Sequence, residues 1–356
     1  MNGLSRELII HPGETLKEVL EDREMSQREL AYRIGLTEPY ISNIINCVKP
    51  ITISLAKKLE YALGIESAFW INLQANYEKE LSDYEEVNSI TVEEISVIRK
   101  IKDLICYMKE IGLLGNENNE SMLVIELRRI LKVSNLNNIP NLCNNGAYRL
   151  AQVETLDPYV LFTWLRICDL IVEKYKDLKS NLDIKKLEEI LPEIKNLMFE
   201  EFETIKEKLR DLFSNCGINF AIVKNFKGAP VQGVINRRSD NTLSLIMTNR
   251  RKYADIFWFT LFHEIGHILN NDFEKNLIDY DNLENEVEEK ANIFSANMLI
   301  DKNNYDKFIL ESDFSITKIN DFCNINNIPK FILIGRLQKE GHIPYNQYGQ
   351  EKIKYD

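Results

Sequence analysis

Phe257-Trp258-Phe259-Thr260-Leu261-Phe262-His263-Glu264-Ile265-Gly266-His267-Ile268-Leu269 is the stretch on which the reading of this chain turns. It has helical period. On a helix, positions i and i+4 sit one above the other on one face. His263 and His267 can therefore bring two ring nitrogens to one point, with Glu264 beside them. A helix uses this spacing to offer two zinc ligands and a general base, and the flanking apolar residues bury it and dry the site. The chain has four histidines, His11, His263, His267 and His342. With so few, the pattern arises by chance in about 1% of cases or less. The spacing argues against two unconnected core histidines.

A zinc site that acts on a substrate normally has three protein ligands and keeps one position open. His11 reads as structural and His342 has no assigned place, so a carboxylate is expected as the third ligand. Residues 284–299 read as a helix with several acids and an apolar side of Val287, Ala291, Phe294, Met298 and Leu299. Glu288 is preferred as the ligand and Glu289 is the alternative. Asn292 shares a face with Glu288 and Ser295 and could accept the N–H of a ligating histidine, fixing its tautomer. The expected cofactor is Zn2+. A metal-assisted hydrolysis also needs a donor for the oxyanion. Arg336, Tyr253 and His342 are candidates, unranked, and Arg336 also reads as a structural salt-bridge residue.

Upstream of this helix the texture is strand-like: 218–223, 231–236 and 242–248, with Ser239-Asp240-Asn241 as turn chemistry between the last two. The third strand is expected to offer an edge to an extended peptide. Residues 78–130 and 157–213 read as helical, Pro192 as a helix start or kink, and the Asn-rich 134–147 as a loop.

Near the other end, Ser26-Gln27-Arg28-Glu29 reads as a capping box. The helix it opens stops at Gly35, and Thr37 caps a second helix with Pro39 in its first turn. Leu30, Ile34, Ile41, Ile44 and Ile45 make an inner face. Thr37, Glu38, Tyr40, Asn43 and Asn46 make an outer one. A further helix ends at Gly64. This is the pattern of a helix-turn-helix that lays its second helix in the major groove of DNA. From Arg23 to Lys58 there are six basic residues and three acids, a local +3. A small protein-binding bundle is the other reading.

The segment 8–77 resembles the Cro/C1-type (XRE) repressor fold and, within it, the HigA-like antitoxin group. The residues that carry this are His11-Pro12-Gly13-Glu14-Thr15-Leu16, Ser26-Gln27-x-Glu29-Leu30-Ala31, Ala56-x-x-Leu59 and Phe69-Trp70-Ile71-Asn72-Leu73-Gln74. The resemblance implies a lambda-repressor-like all-α domain. It implies reading of double-stranded operator DNA by Gln27, Thr37, Glu38, Tyr40, Asn43 and Asn46, with Lys49 on a phosphate, by a homodimer on a palindrome. Pro39 and Cys47 depart from the family pattern, Cys47 standing where a turn glycine is common.

The C-terminal third is similar to the ImmA/IrrE family of metallopeptidases, a gluzincin-like group. The similarity rests on 259–267, on Glu288-x-x-Ala291-Asn292-x-Phe294-Ser295 and on Gly335-Arg336-Leu337-Gln338. It implies zinc-dependent cleavage of a repressor or antitoxin-like protein, with a short sheet beside the site helix. An antitoxin or repressor whose peptidase-like domain binds a partner or senses a signal without proteolysis is the alternative. A metal-stabilised scaffold is a third.

Composition sets the outer bounds. The 356 residues carry a net charge of 44 − 55 = −11, with 44% hydrophobic and 28% charged residues. That excludes a disordered, collagen-like or coiled-coil chain and makes any nucleic-acid site a local patch. No apolar run approaches the roughly 18 residues that span a bilayer, so no membrane is expected. The N-terminus, Met1-Asn2-Gly3-Leu4-Ser5-Arg6-Glu7, shows no signal-peptide core, so a cytoplasmic location is expected. The six cysteines form no C-x-x-C pair and are expected reduced, Cys106 and Cys168 as buried thiols. The expected architecture is multidomain and mainly α: a helix-turn-helix over 1–77, a helical extension over 78–213, and a small α+β zincin-like domain over 214–356.

Overall fold

The computed structural model describes residues 6–143, 156–174, 181–237, 242–248, 250–272, 277–280 and 286–355. The turn expected at Ser239-Asp240-Asn241 and the end of the 134–147 loop lie outside them. The chain divides into two compact units, Met1–Ile95 with Asn119–Ile125, and Ser96–Asn118 with Glu126–Asp356.

The first unit is all helical. Its helices are α1 (Pro12–Asp22), α2 (Gln27–Ile34), α3 (Glu38–Ile45), α4 (Ile53–Leu63) and α5 (Ser67–Asn88). Residue 77, where the composition changes, lies inside α5. His11 is the cap of α1: its Nδ1 accepts the Gly13 N–H at 2.9 Å. Gly13 is required because α1 passes so close to α3 that a Cβ would overlap the Ile44 carbonyl. Ser26 Oγ accepts the Glu29 N–H at 3.1 Å. The Glu29 carboxylate does not reach back to complete a capping box; it accepts from Arg33 at 2.7 Å, one turn on. Thr37 occupies the N-cap of α3 without a side-chain cap bond. Gly35 and Gly64 end α2 and α4 in the left-handed region, φ +65° in both, where L side chains are strained. The core packs Leu16, Leu30, Ile34, Ile41, Ile44, Leu59 and Trp70.

Four helices follow: α6 (Val92–Lys100), α7 (Lys102–Glu110), α8 (Glu120–Leu131) and the short α9 (Ile139–Leu142). The last falls within the expected loop and carries Pro140 in its first turn, where no N–H is needed. Then come α10 (Pro158–Lys174), α11 (Ile184–Asn196) and α12 (Phe202–Asn215). Pro192 lies inside α11 and does not start it.

The sheet has β1 (Ile218–Val223), β2 (Val231–Arg237), β3 (Leu243–Thr248) and β4 (Leu277–Tyr280), in the order β1-β3-β2-β4. β1 and β3 are parallel, Phe220 opposite Leu245. β2 runs antiparallel to β3, and to β4 with a register shift between Val231 and Gly233. β3 is therefore flanked on both sides by strands and offers no edge to a peptide, contrary to expectation. The edge strands are β1 and β4, and β4 is an addition to the three strands expected. The site helix α13 (Ala254–Leu269) packs on β2. It is followed by α14 (Glu286–Leu299), α15 (Lys302–Glu311), α16 (Ile316–Asn326) and α17 (Lys330–Lys339). Residues 343–355 return to the start of α13: the Ala254 N–H bonds the Ile353 carbonyl at 2.9 Å, and Trp258 Nε1 donates to the Tyr355 hydroxyl at 2.8 Å.

All six cysteines are free. Cys168 is buried, but Cys106 is exposed. The run 104–108 holds more apolar residues than one helix face can bury. Leu104, Ile105 and Met108 take the core, and Cys106 points away. Among the described residues no helix is long and apolar enough to cross a membrane.

Candidate metal centre and helix-turn-helix

Twelve of the sixteen residues of α13 are buried, His263, Glu264 and His267 among them. Buried polar groups need partners, and α14 supplies them. Small residues let the two helices close: at Gly266 a Cβ would stand 3.3 Å from the Ala291 Cα and 3.1 Å from the Phe294 ring. That approach carries Glu288 and Asn292 to the histidines. The Nε2 atoms of His263 and His267 are 3.0 Å apart. Glu288 Oε2 lies 3.1 Å from the first and 3.6 Å from the second. His263 Nδ1 stands 3.1 Å from Asn292 Oδ1, so the amide oxygen accepts the ring N–H at Nδ1 and orients the ring with Nε2 toward Glu288. Ser295, one turn past Ala291, donates to the Phe259 carbonyl at 2.7 Å and ties the two helices together. Glu289 is exposed and is not part of this cluster.

Three ligand atoms thus converge, and among the described residues His263, His267 and Glu288 are the one His/Cys/Asp/Glu group that could hold a metal ion. Two imine nitrogens and a carboxylate oxygen, all electron-pair donors, are the donor set zinc takes in catalytic sites. A tetrahedral ion bound at about 2.0–2.2 Å would hold its ligand atoms roughly 3.3–3.6 Å apart. Of the observed separations, 3.6 Å lies within that span and 3.0 and 3.1 Å fall two to three tenths of an ångström below it, so the ligand atoms need to part only slightly to hold an ion. Burial works to raise the Glu288 carboxyl. Hydrogen bonding by His263 and His267, then their charge, outweighs it and holds the group at about 2.

Two contributors had no reading in the sequence. Asp272 Oδ2 stands 3.6 Å from His267 Nδ1, behind the ring. Gly233 in β2 lies over Glu264, and a Cβ there would overlap its carboxylate. Glycine inside a strand signals close approach of another group; here that group is Glu264, fully buried under the strand.

Of the three oxyanion candidates, Arg336 and His342 meet at Glu340, and Tyr253 caps α13. Arg336 stacks on Tyr305 at 3.6 Å and donates to Glu340 at 2.8 Å. Tyr305 donates to the same carboxylate at 2.6 Å, and burial together with Glu340 pushes its phenol up. His342 Nε2 is 3.5 Å from Glu340, so it belongs to that cluster and not to the ligand set. Tyr253 is the N-cap of α13, ten residues and roughly 15 Å of helix rise before His263.

In the first unit, Thr37, Glu38, Asn46 and Lys49 are exposed, and Gln27, Tyr40 and Asn43 half-buried. All stand at the start of α2 or on and just after α3. Lys49 Nζ lies 4.8 Å from the Tyr40 ring centre, and Asn46 Nδ2 donates to Ser42 at 3.1 Å. Cys47 has φ +61°, the left-handed turn conformation that glycine takes more readily.

Comparison with known proteins assigns the two ends separately. Residues 16–70 match the helix-turn-helix family, and residues 223–325 match the family described as the IrrE N-terminal-like domain. The chain is similar to an addiction module antidote protein of the HigA family from Coxiella burnetii, with 30% identity over 23% of this chain and 95% of that one, TM-score 0.21. It is similar to the Pseudomonas aeruginosa antitoxin HigA solved with the higBA promoter, with 26% identity over 23% and 96% of the chains, TM-score 0.22. A second P. aeruginosa structure, of a protein in complex with its operator DNA, shares 30% identity over 20% of this chain and 80% of that one, TM-score 0.20. No curated protein matches the chain.

Proposed function

We propose that this chain, which carries an XRE-type helix-turn-helix domain at its N-terminus and an ImmA/IrrE-like peptidase-family domain at its C-terminus, is an operator-binding regulator joined to a zinc-dependent endopeptidase that cleaves a repressor or antitoxin-like protein. The three parts are 1–77, 78–213 and 214–356, working in the cytoplasm as a homodimer on DNA. The observation that carries the enzymatic half is the convergence of His263, His267 and Glu288, with Glu264 held next to them under Gly233.

His263, His267 and Glu288 would hold the zinc, Asn292 and Asp272 setting the histidine rings from behind. When bound, a zinc ion supplies Lewis-acid polarisation of the scissile carbonyl and makes a water more acidic. Glu264 takes the proton of the attacking water on a carboxylate oxygen and hands it to the leaving amine. Its burial excludes competing solvent, and Gly233 leaves the space in which the carboxylate turns between the two tasks. Three protein ligands would leave one position for substrate, as a hydrolase needs and a closed structural site does not.

The decisive experiment pairs wild type with Glu264→Gln, the latter used to trap bound protein from cells. Trapped candidates are then offered to both. Cleavage by wild type alone is expected; equal cleavage by both, or none with zinc confirmed bound, would sink the enzyme assignment. For the DNA-binding half, binding to the DNA upstream of the chain's own gene is measured with Gln27→Ala and Asn43→Ala combined. A loss of tenfold or more is expected from removing side chains that read base edges, and unchanged affinity would remove the operator reading.

A further inference from the structure

Helix α7 carries a polar stripe along one face. Asp103, Cys106, Tyr107 and Glu110 stand at i, i+3, i+4 and i+7, the spacing that brings side chains to one side of a helix. They cover roughly 10 Å of helix rise. Opposite them is the turn between β1 and β2, with Lys224, Asn225, Phe226 and Lys227. Between the helix and the turn lies a cleft of about 310 Å³, lined by these residues and contained in the second unit. Clefts that take small ligands start at roughly 300 Å³. At roughly 30 Å³ for each non-hydrogen atom, the share of a water in the liquid, this one takes about ten.

The turn is fixed by its own bonds, so the cleft is formed before a ligand arrives. Trp164 Nε1 donates to the Lys224 carbonyl at 2.9 Å. Asn225 Nδ2 donates to the Ala229 carbonyl at 3.2 Å, and Phe226 pairs with Ala229 in an antiparallel bridge. Phe226 is buried, and its ring centre is 5.5 Å from that of Tyr107. The two rings make the apolar part of the lining. Lys224 Nζ is 5.8 Å from the Tyr107 ring centre and 5.9 Å from that of Phe226, so its ammonium sits at the seam between them. The walls are opposite in sign. Asp103 and Glu110 stand on the helix, Lys224 and Lys227 on the turn, two charges against two. All four are exposed, so a ligand in solution reaches them.

We propose that this cleft binds a free α-amino acid with an aromatic side chain. Its carboxylate meets Lys224, its ammonium meets Glu110, and its ring lies against Tyr107 and Phe226. The balanced walls select for a zwitterion. The phosphates of a nucleotide would face Asp103 and Glu110, and a polyamine would face both lysines. An α-amino acid satisfies both walls with charge-assisted hydrogen bonds. Glu110 is the last residue of α7, and the partial negative charge of a helix C-terminus adds to its pull on an ammonium. A ring gains from offset or edge-to-face contact with the aromatic pair. The metal-binding residues line no part of this cleft, so the amino acid is not a substrate of that centre, and its binding is independent of the endopeptidase reading.

The full chain carries its own reporter. Cys106 is exposed and lines the cleft, Cys47 is exposed in the first unit, and the other four cysteines are buried. N-ethylmaleimide, which is uncharged, labels both exposed thiols, and peptide mass analysis follows each rate. The common L-amino acids are added one at a time at about 10 mM. The aromatic ones are expected to slow labelling of Cys106 about tenfold, as a Kd of about 1 mM would, and to leave Cys47 unchanged. N-acetylphenylalanine lacks the ammonium and phenylalaninamide lacks the carboxylate; by calorimetric titration each should bind about tenfold more weakly than phenylalanine. Lys224→Gln and Glu110→Gln should each cost phenylalanine about the same, with melting temperature unchanged. The capped ligands probe the same two pairings in the wild-type chain, whatever the substitutions do to folding. Protection of Cys106 by no amino acid overturns the site, as does equal slowing at Cys47 and Cys106. Protection by glycine as strong as by phenylalanine overturns the aromatic class. Affinity that neither capping nor the two substitutions change overturns the zwitterion.

Discussion

Helices α3 and α13 both present chemistry, and they do so in opposite ways. α3 buries Ile41, Ile44 and Ile45 and turns Glu38, Asn43 and the following Asn46 outward. Glu38 and Asn46 are exposed and Asn43 is half-buried, so their polar groups reach solvent. α13 buries His263, Glu264 and His267 within an otherwise apolar helix. Its polar groups must be satisfied inside the protein, so α14, β2 and the turn after α13 are built to meet them. The difference teaches where tolerance lies. Side chains that read a partner can change without loss of fold, whereas those that hold a metal are bound up with the packing around them.

The sharpest way to break the comparison is at the metal ligands. Glu288→Ala should lower zinc affinity by well over 100-fold, since even supporting residues behind ligands cost 10–100-fold, and Glu289→Ala should leave it unchanged. Titration against a chromophoric chelator measures both; the reverse outcome would swap the ligand. Asn292→Ala comes next, with an expected loss of about 10–100-fold in zinc affinity, because His263 Nδ1 loses the oxygen that orients it. An affinity equal to wild type would show that the ring is set by packing alone.

Glycines sharpen the same contrast. Gly13 in α1 faces the Ile44 backbone carbonyl, and Gly233 faces the end of the Glu264 side chain. Gly13→Ala meets an obstacle that cannot turn aside, so α1 and α3 must part, and the first unit should lose about 1–3 kcal/mol in denaturant unfolding. Gly233→Ala meets a side chain that can swing. It should cost less stability and more hydrolysis, read as a fall in turnover with zinc still bound. Equal stability losses at the two positions would erase the distinction.

The sequence made much of this legible, for reasons that differ by element. The pairing of His263 and His267 on one face of α13 was readable because i, i+4 spacing is a local property. Glu288 is preferred over Glu289 because it shares a face with Asn292 and Ser295, but helix period alone leaves two adjacent carboxylates close in direction, and it takes the approach of Ala291 to Gly266 to turn Glu288 inward. Asp272 was not readable, because its approach to His267 depends on the path of the turn after α13. The strand β4 spans four residues, Leu277–Tyr280, too short to show alternation. Its pairing with β2 displaced no expectation about β2, but the parallel partnership of β1 and β3 did: strand order is a nonlocal property, and it put β3 at the centre. At Glu29 two local rules competed. Arg33 one turn later offers a charged partner where the Ser26 N–H offers a neutral one, and the arginine won.

The smallest effect is expected on the exposed side of the comparison, at the turn after α3. Cys47 holds φ +61°, a conformation that strains an L side chain and suits glycine. Its side chain is exposed, and its Sγ makes one long contact, 3.7 Å to the Ile45 carbonyl. Relief of the backbone strain works for Cys47→Gly, and the greater freedom of glycine in the unfolded chain works against it by roughly 0.4–1 kcal/mol. Strain of about 1–2 kcal/mol at such a residue exceeds that offset, so the substitution should stabilise the first unit by about 0.5–1 kcal/mol in urea unfolding. Operator binding should change little, because Asn43 and Asn46 keep their helix and Lys49 its place beyond the turn. A loss of stability would mean that the thiol contact outweighs the backbone. A loss of DNA affinity at unchanged stability would mean that the turn itself, and not only the outer face of α3, meets the DNA.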